Sequence, residues 1–144
     1  MTEKPPPSIR KAFPRTWYHP KWKLLVWYPR GVLNDAFLDQ VFDFIEMEEH
    51  IQDAPFDRYT DLSGLSSIRL GMNHVFHAAR RRRKVKQPVR SAIFANDPIS
   101  FGIAQMYEHL MDGGMIEVCA FERIAPAAAF LEVPVKALEM PDGL

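Results

Sequence analysis

Hydrophobic and polar positions switch between two periods along this chain, and the switches mark out its elements. Trp22-Lys23-Leu24-Leu25-Val26-Trp27-Tyr28 is rich in β-formers and predicts a strand. Arg15-Thr16-Trp17-Tyr18 predicts a shorter strand before it, with His19-Pro20-Lys21 as the turn of a hairpin. Pro29-Arg30-Gly31 breaks the run. Asn34 then suits a helix N-cap, with Asp35 in the first turn. Leu38, Val41, Phe42 and Ile45 recur at helical spacing, and the helix should fade near Ile51.

Phe56 to Leu62 predicts the next strand, and a second helix is expected from Ser66 or Ser67. Its apolar stripe would be Ile68, Met72, Val75, Phe76 and Ala79, and it would end in Arg80-Arg81-Arg82-Arg83-Lys84. Val89 to Ala95 is another strand. Asp97 then caps a helix that starts at Pro98 and carries Ile99, Ile103, Met106 and Leu110. Gly113-Gly114 ends it, Met115 to Phe121 forms the last strand, and Pro126 to Leu131 a short final helix.

Strands alternating with helices call for a largely parallel sheet. If the strands lie in sequence order, each right-handed crossover lands on the same side, and one sheet face is left bare. Both faces of most strands are nevertheless apolar. Exposed apolar area beyond about 300–600 Å² is unusual on a monomer. Something should therefore cover that face: the N-terminal arm, a second subunit, an apolar ligand or simply the chain's own tails. Alternation and aromatic content single out Leu25, Trp27, Tyr59, Phe94 and Phe121 as the residues that would gather there, as an apolar ligand site or a dimer face.

Composition narrows the classes. The 144 residues are enough for one domain with a core, and 47% hydrophobic with 25% charged is ordinary for a globular protein. Lys+Arg and Asp+Glu both total 18, so no global charge draws the chain to nucleic acid or an anionic membrane. The one cysteine, Cys119, excludes an internal disulfide and fits a reducing compartment. No apolar run approaches the roughly 20 residues of a membrane span. Met1 to Pro7 lacks the apolar core of a secretory signal, so a cytoplasmic location is expected. Residues 1–14, with four of the twelve prolines, read as a loose arm. Residues 15–131 read as the domain, and 132–144 as a polar tail.

The element order, together with Asp61-Leu62-Ser63-Gly64-Leu65 at a strand-to-helix junction, resembles the SpoIIAA-like superfamily of STAS-type anti-sigma-factor antagonists. Val89-Arg90-Ser91-Ala92-Ile93-Phe94 before Asn96-Asp97 adds to it, as does Val118-Cys119-Ala120-Phe121 with Ala127-Ala128-Ala129-Phe130-Leu131. These last blocks look more like an uncharacterised bacterial branch. The resemblance implies an α/β fold: a small, mostly parallel sheet with an N-terminal antiparallel hairpin strand, wound as a (βα)n superhelix. The antagonists carry an Asp-Ser-Ser-Gly-like turn whose first serine is phosphorylated. Here Asp61 and Gly64 match, Ser63 takes the second serine's place, and Leu62 stands where the phosphorylated one would be. Distant relatives bind lipids, which makes a lipid-like ligand a second expectation.

Chemistry is sparse. The turn Asp61, Ser63, Gly64, Ser66 and Ser67 reads either as an anion site or phosphosite at a helix start or as a plain cap, and it lacks the lysine and glycines of a P-loop. With Asn96 and Asp97 of the neighbouring loop it would form an interaction surface at the carboxyl ends of parallel strands. The basic run Arg80 to Lys84 reads as a solvated helix end that balances the charge of the acidic stretch Glu46, Glu48, Glu49 and Asp53. His74 and His77 stand three apart without further ligands, so no metal and no cofactor are expected. The expectation is a non-catalytic regulatory or protein-interaction module, with binding of a small apolar ligand as the alternative. A protein partner is expected, which could be a second copy as a homodimer, but no nucleic acid.

Overall fold

The computed structural model describes residues 13–52 and 54–144. Most of the arm expected over residues 1–14, and Asp53, lie outside them. Five strands form the main sheet in the order β1 (Thr16–His19), β2 (Leu24–Trp27), β4 (Asp57–Asp61), β6 (Val89–Phe94), β7 (Ile116–Phe121). The first pair is antiparallel and the rest are parallel, as the hairpin followed by alternating helices requires. The helices are α1 (Asp35–Ile51), α2 (Met72–Arg82), α3 (Pro98–Leu110) and α4 (Ile124–Leu131). Asn34 Oδ1 accepts the Phe37 amide at 2.9 Å and Asp97 Oδ1 accepts the Ser100 amide at 2.9 Å, so both expected caps are in place. Gly113, with φ +78°, makes the left-handed turn after α3. No helix among the described residues is long and apolar enough to cross a membrane.

A second, two-stranded parallel sheet joins β3 (Gly31–Asn34) to β5 (Leu65–Arg69). Its strands correct the sequence reading. Ser66 and Ser67 lie in β5, and α2 starts only at Met72. The later start also changes the buried face of α2. Val75, Ala78, Ala79 and Arg82 are buried, whereas Met72 and Phe76, expected in the core, are 59% and 42% exposed. Ile99 of α3 likewise faces outward.

The second sheet face is not bare. Helices α1 to α3 pack on one face, against Leu25, Trp27, Ile93 and Val118. Helix α4 and the C-terminal segment cover the other, where Leu24, Val26, Tyr59, Ala92 and Phe94 meet Ala127, Ala128, Leu131 and Leu138. Strand β7 is the sheet edge, and beyond it the chain folds back beneath the sheet. A 3₁₀ turn over Val135–Leu138 buries Ala137 and Leu138, and Tyr28 Oη donates to the Leu138 carbonyl at 2.8 Å. Phe13 inserts on the helix side, 5.8 Å from the Trp27 ring and 5.7 Å from Phe44.

Candidate functional site

Strand β4 is the centre of the main sheet, and its sequence is Asp57-Arg58-Tyr59-Thr60-Asp61. Central parallel strands are buried on both faces and normally read as apolar runs. This one buries an arginine at 6% exposure on the helix side and a tyrosine at 0% on the other. The registers place Arg58 in a row with Leu25, Ser91 and Val118, and Thr60 in the next row with Trp27, Ile93 and Ala120. Arg58 and Ser91 of the first row and Trp27, Thr60 and Ile93 of the second floor a cavity of about 110 Å³ beneath α1, α2 and α3. Phe42 and Ile45 of α1, Val75 of α2, and Ala104 and Tyr107 of α3 are among its walls.

Two arginines of the cavity wall, Arg58 and Arg82, pair with glutamates that lie outside it. Arg58 Nη2 donates to Glu49 Oε2 at 2.9 Å, and Arg82 Nη2 donates to the same oxygen at 2.5 Å. Arg82 Nη1 reaches Glu46 Oε2 at 3.3 Å. The Arg58 guanidinium carbon lies 4.6 Å above the Phe56 ring, and that of Arg82 5.6 Å from Phe42. Burial pulls the Arg58 guanidinium down from its ordinary range, and Glu49 opposes that shift. Burial likewise pushes the Tyr107 phenol up to about 12. Three buried donor groups on this face have no partner among the described residues: Arg58 Nε, Arg58 Nη1 and the indole Nε1 of Trp27. Buried donors are nearly always satisfied. Orphans on a cavity wall are therefore the feature of this molecule that most requires an occupant.

A crystal structure of an uncharacterised DUF3478-family protein with a SpoIIAA-like fold, from Shewanella loihica PV-4, matches this chain with a TM-score of 0.51 at 17% identity, over 75% of this chain and 83% of that one. The fold is SpoIIAA-like. At that identity the likeness speaks for the fold alone. No protein-family model matches the sequence, and no curated protein matches it.

In the SpoIIAA-like frame, the turn after β4 is built differently from the sequence expectation. Leu62–Gly64 is a 3₁₀ turn capped by Asp61, whose Oδ1 accepts the Ser63 amide at 2.9 Å and the Ser63 hydroxyl at 2.6 Å. It leads into β5, so no helix N-terminus offers free amides to an anion here. Leu62 is buried and Ser63 exposed. A phosphate on Ser63 would replace its hydrogen bond with like-charge repulsion from Asp61. Gly64 is required by close approach, since a Cβ there would lie 3.0 Å from the Pro29 carbonyl oxygen. Phe94 of β6 stands opposite Asp61 of β4, which makes the loop after β6 the neighbour of this turn, and Asn96 and Asp97 are exposed on it.

The five residues expected on one apolar face are divided between two. Leu25 and Trp27 pack beneath the helices, while Tyr59, Phe94 and Phe121 lie on the face covered by α4 and the tail. Trp27 stands opposite Thr60, not Tyr59, and a one-residue offset in a strand reverses the face. The basic run is not simply solvated either. Arg81 reaches Asp43 and Glu46 at 2.5 and 2.7 Å, and Arg82 is 2% exposed. His74 contacts Asp39 at 2.7 Å between α1 and α2, outside the cavity wall. Among the described residues no three metal-binding side chains converge. Cys119 is a partly buried strand residue, and burial pushes its thiol up.

Sequence reasoning missed Arg58, Thr60, Ser91, Arg82 and Tyr107. A signal was present. A strand of five residues, four of them polar, in the centre of a parallel sheet is a local conflict, and such conflicts concentrate at functional sites.

Proposed function

We propose that this chain binds a small, largely apolar molecule that carries a polar group, held between α1–α3 and the main sheet. The observation that supports this is the 110 Å³ cavity with unpartnered N–H groups of Arg58 and Trp27 on its wall. It moves the expected apolar ligand from the α4 side of the sheet to the helix side. A binding role rather than a catalytic one is supported by the position of the His74–Asp39 pair away from the cavity. The test is binding of toluene, a neutral ring, followed by NMR shifts of the cavity methyl groups. Shifts at Val75 and Ile93 that vanish in Ala104→Phe are expected. Neither toluene nor benzoate moving these methyls would remove the reading.

An interaction module acting through the strand-end loops is a second reading. It is supported by Ile99, which is 73% exposed beside the exposed Asn96 and Asp97. If a second copy of the chain docks there, Ile99→Asp should abolish self-association in sedimentation. A wild-type chain that sediments as a monomer at high concentration would exclude that dimer.

A further inference from the structure

We propose that the cavity selects a small apolar carboxylate, a single-ring or short branched-chain acid, whose carboxylate accepts a free N–H of Arg58. The proposal rests on the cavity being a ligand site and names the class of ligand.

Charge and donor inventory carry it. Arg58 is fixed in place by the sheet, by Nη2 on Glu49 and by its face on Phe56, so the guanidinium is already oriented. Its Nε and Nη1 are unpartnered and buried, and an unmet buried N–H costs about 1–3 kcal/mol, more when charged. Two buried guanidiniums, Arg58 and Arg82, share the Glu49 carboxylate, with Glu46 as a more distant second acceptor for Arg82 alone. Trp27 Nε1, the other unmet group on this wall, is also a donor. The lining therefore presents unmet donors beside positive charge. An ammonium would be repelled, and a hydrocarbon would leave the orphans as they are. A carboxylate meets both needs, since it is acceptor-only and pairs strongly with arginine.

Size sets the remainder of the molecule. An apolar cavity of about 150 Å³ accepts benzene. At about 110 Å³ this one is smaller, so the apolar part of the ligand is a short branched chain or at most one ring, and a long acyl tail is excluded.

The experiment uses the full chain and four probes: benzoate, 3-methylbutanoate, toluene and benzylammonium. Binding is measured by calorimetry and by NMR shifts of the cavity methyls. Benzoate should bind at least tenfold tighter than toluene, 3-methylbutanoate should bind, and benzylammonium should not. Arg58→Met should lose at least tenfold for benzoate while retaining toluene, because Glu49 keeps Arg82 as its partner. Toluene bound as tightly as benzoate in the wild type, or benzoate bound equally well by Arg58→Met, overturns the carboxylate proposal and leaves the cavity reading standing. Neither probe bound overturns both. If Arg58→Met does not fold, the wild-type ratio of benzoate to toluene decides the matter alone.

Discussion

Arg58 and Glu49 are joined by a 2.9 Å hydrogen bond from Nη2 to Oε2, which ties the middle of the main sheet to the last turns of α1. Arg82 donates to the same carboxylate oxygen from the end of α2. Glu49 thus pairs with two guanidiniums, whose side chains are 8% and 3% exposed, and Glu46 is a second partner for Arg82.

Glu49→Ala should therefore be among the most damaging substitutions available. Removing one member of a buried ion pair costs about 3–5 kcal/mol when the charge left behind has no partner, which is the position of Arg58 here, whereas Arg82 keeps Glu46. Glu49 is itself 23% exposed, so the lower end of that range is expected. Urea denaturation gives the number. A loss below about 1 kcal/mol would show that solvent reaches both arginines.

Tyr28 and Tyr59 stack edge to face at 6.2 Å, yet their hydroxyls should respond in opposite directions. Tyr28 donates to the Leu138 carbonyl, whereas the Tyr59 hydroxyl is buried without a partner among the described residues. Tyr28→Phe should cost about 1 kcal/mol and loosen the tail, while Tyr59→Phe should be neutral or stabilising by up to about 1 kcal/mol. Thermal melts of the two variants side by side decide this.

Removing residues 135–144 should uncover the α4-side face. That segment supplies Leu138 to a cluster containing Leu24, Val26 and Tyr59. The shortened chain is expected to bind a hydrophobic dye and to self-associate in sedimentation, whereas the full chain should not bind the dye. Equal dye binding by both would mean that the tail is dispensable.

Gly64→Ala would bring a Cβ to 3.0 Å from the Pro29 carbonyl oxygen, a backbone atom with little room to move. A destabilisation of about 1–3 kcal/mol is expected from this overpacking, read by urea denaturation. Gly102→Ala is the matched control, because a Cβ there would meet nothing within 4 Å among the described residues. Its effect should be neutral to stabilising, through better helix propensity in α3.

Stability should fall at both ends of the pH scale for different reasons. A hydrogen bond from Arg81 holds the Glu46 carboxyl below its ordinary value of 4.5. Its contribution is complete above that pH and is lost as pH falls through the lower, folded value. Burial pushes the Tyr107 phenol from 10 up to about 12, so the folded chain keeps a proton that the unfolded chain releases. That contribution is complete below pH 10 and is lost as pH rises to about 12. Glu46→Gln should flatten the acid limb of a melting-temperature profile, and Tyr107→Phe part of the alkaline limb.

The hairpin, the largely parallel sheet and the caps at Asn34 and Asp97 could be read directly, because each rests on local chemistry or on a simple alternation. The small β3–β5 sheet could not. Gly31–Asn34 and Leu65–Arg69 are short and mixed in character. They become strands only by pairing with each other across the whole of α1 and β4, a contact no local pattern announces. Missing β5 moved the start of α2 by several residues and turned its expected stripe outward at Met72 and Phe76. The cavity was hidden for a related reason. Alternation within each strand and aromatic content group Trp27 with Tyr59, but the register between strands decides the face, and nothing local to Arg58 announces its burial.

The small sheet also has a mechanical consequence. Strand β3 runs straight into α1 and β5 leads into α2, and Asp35 Oδ1 accepts the Gly71 amide at 3.0 Å where the two helices begin. At their far ends, Arg81 and Arg82 grip Asp43, Glu46 and Glu49. The two helices are thus riveted to each other at both ends, like two boards of one hatch. Entry to the interior would have to lift them together, so their amide protons should exchange with a single shared opening free energy rather than helix by helix.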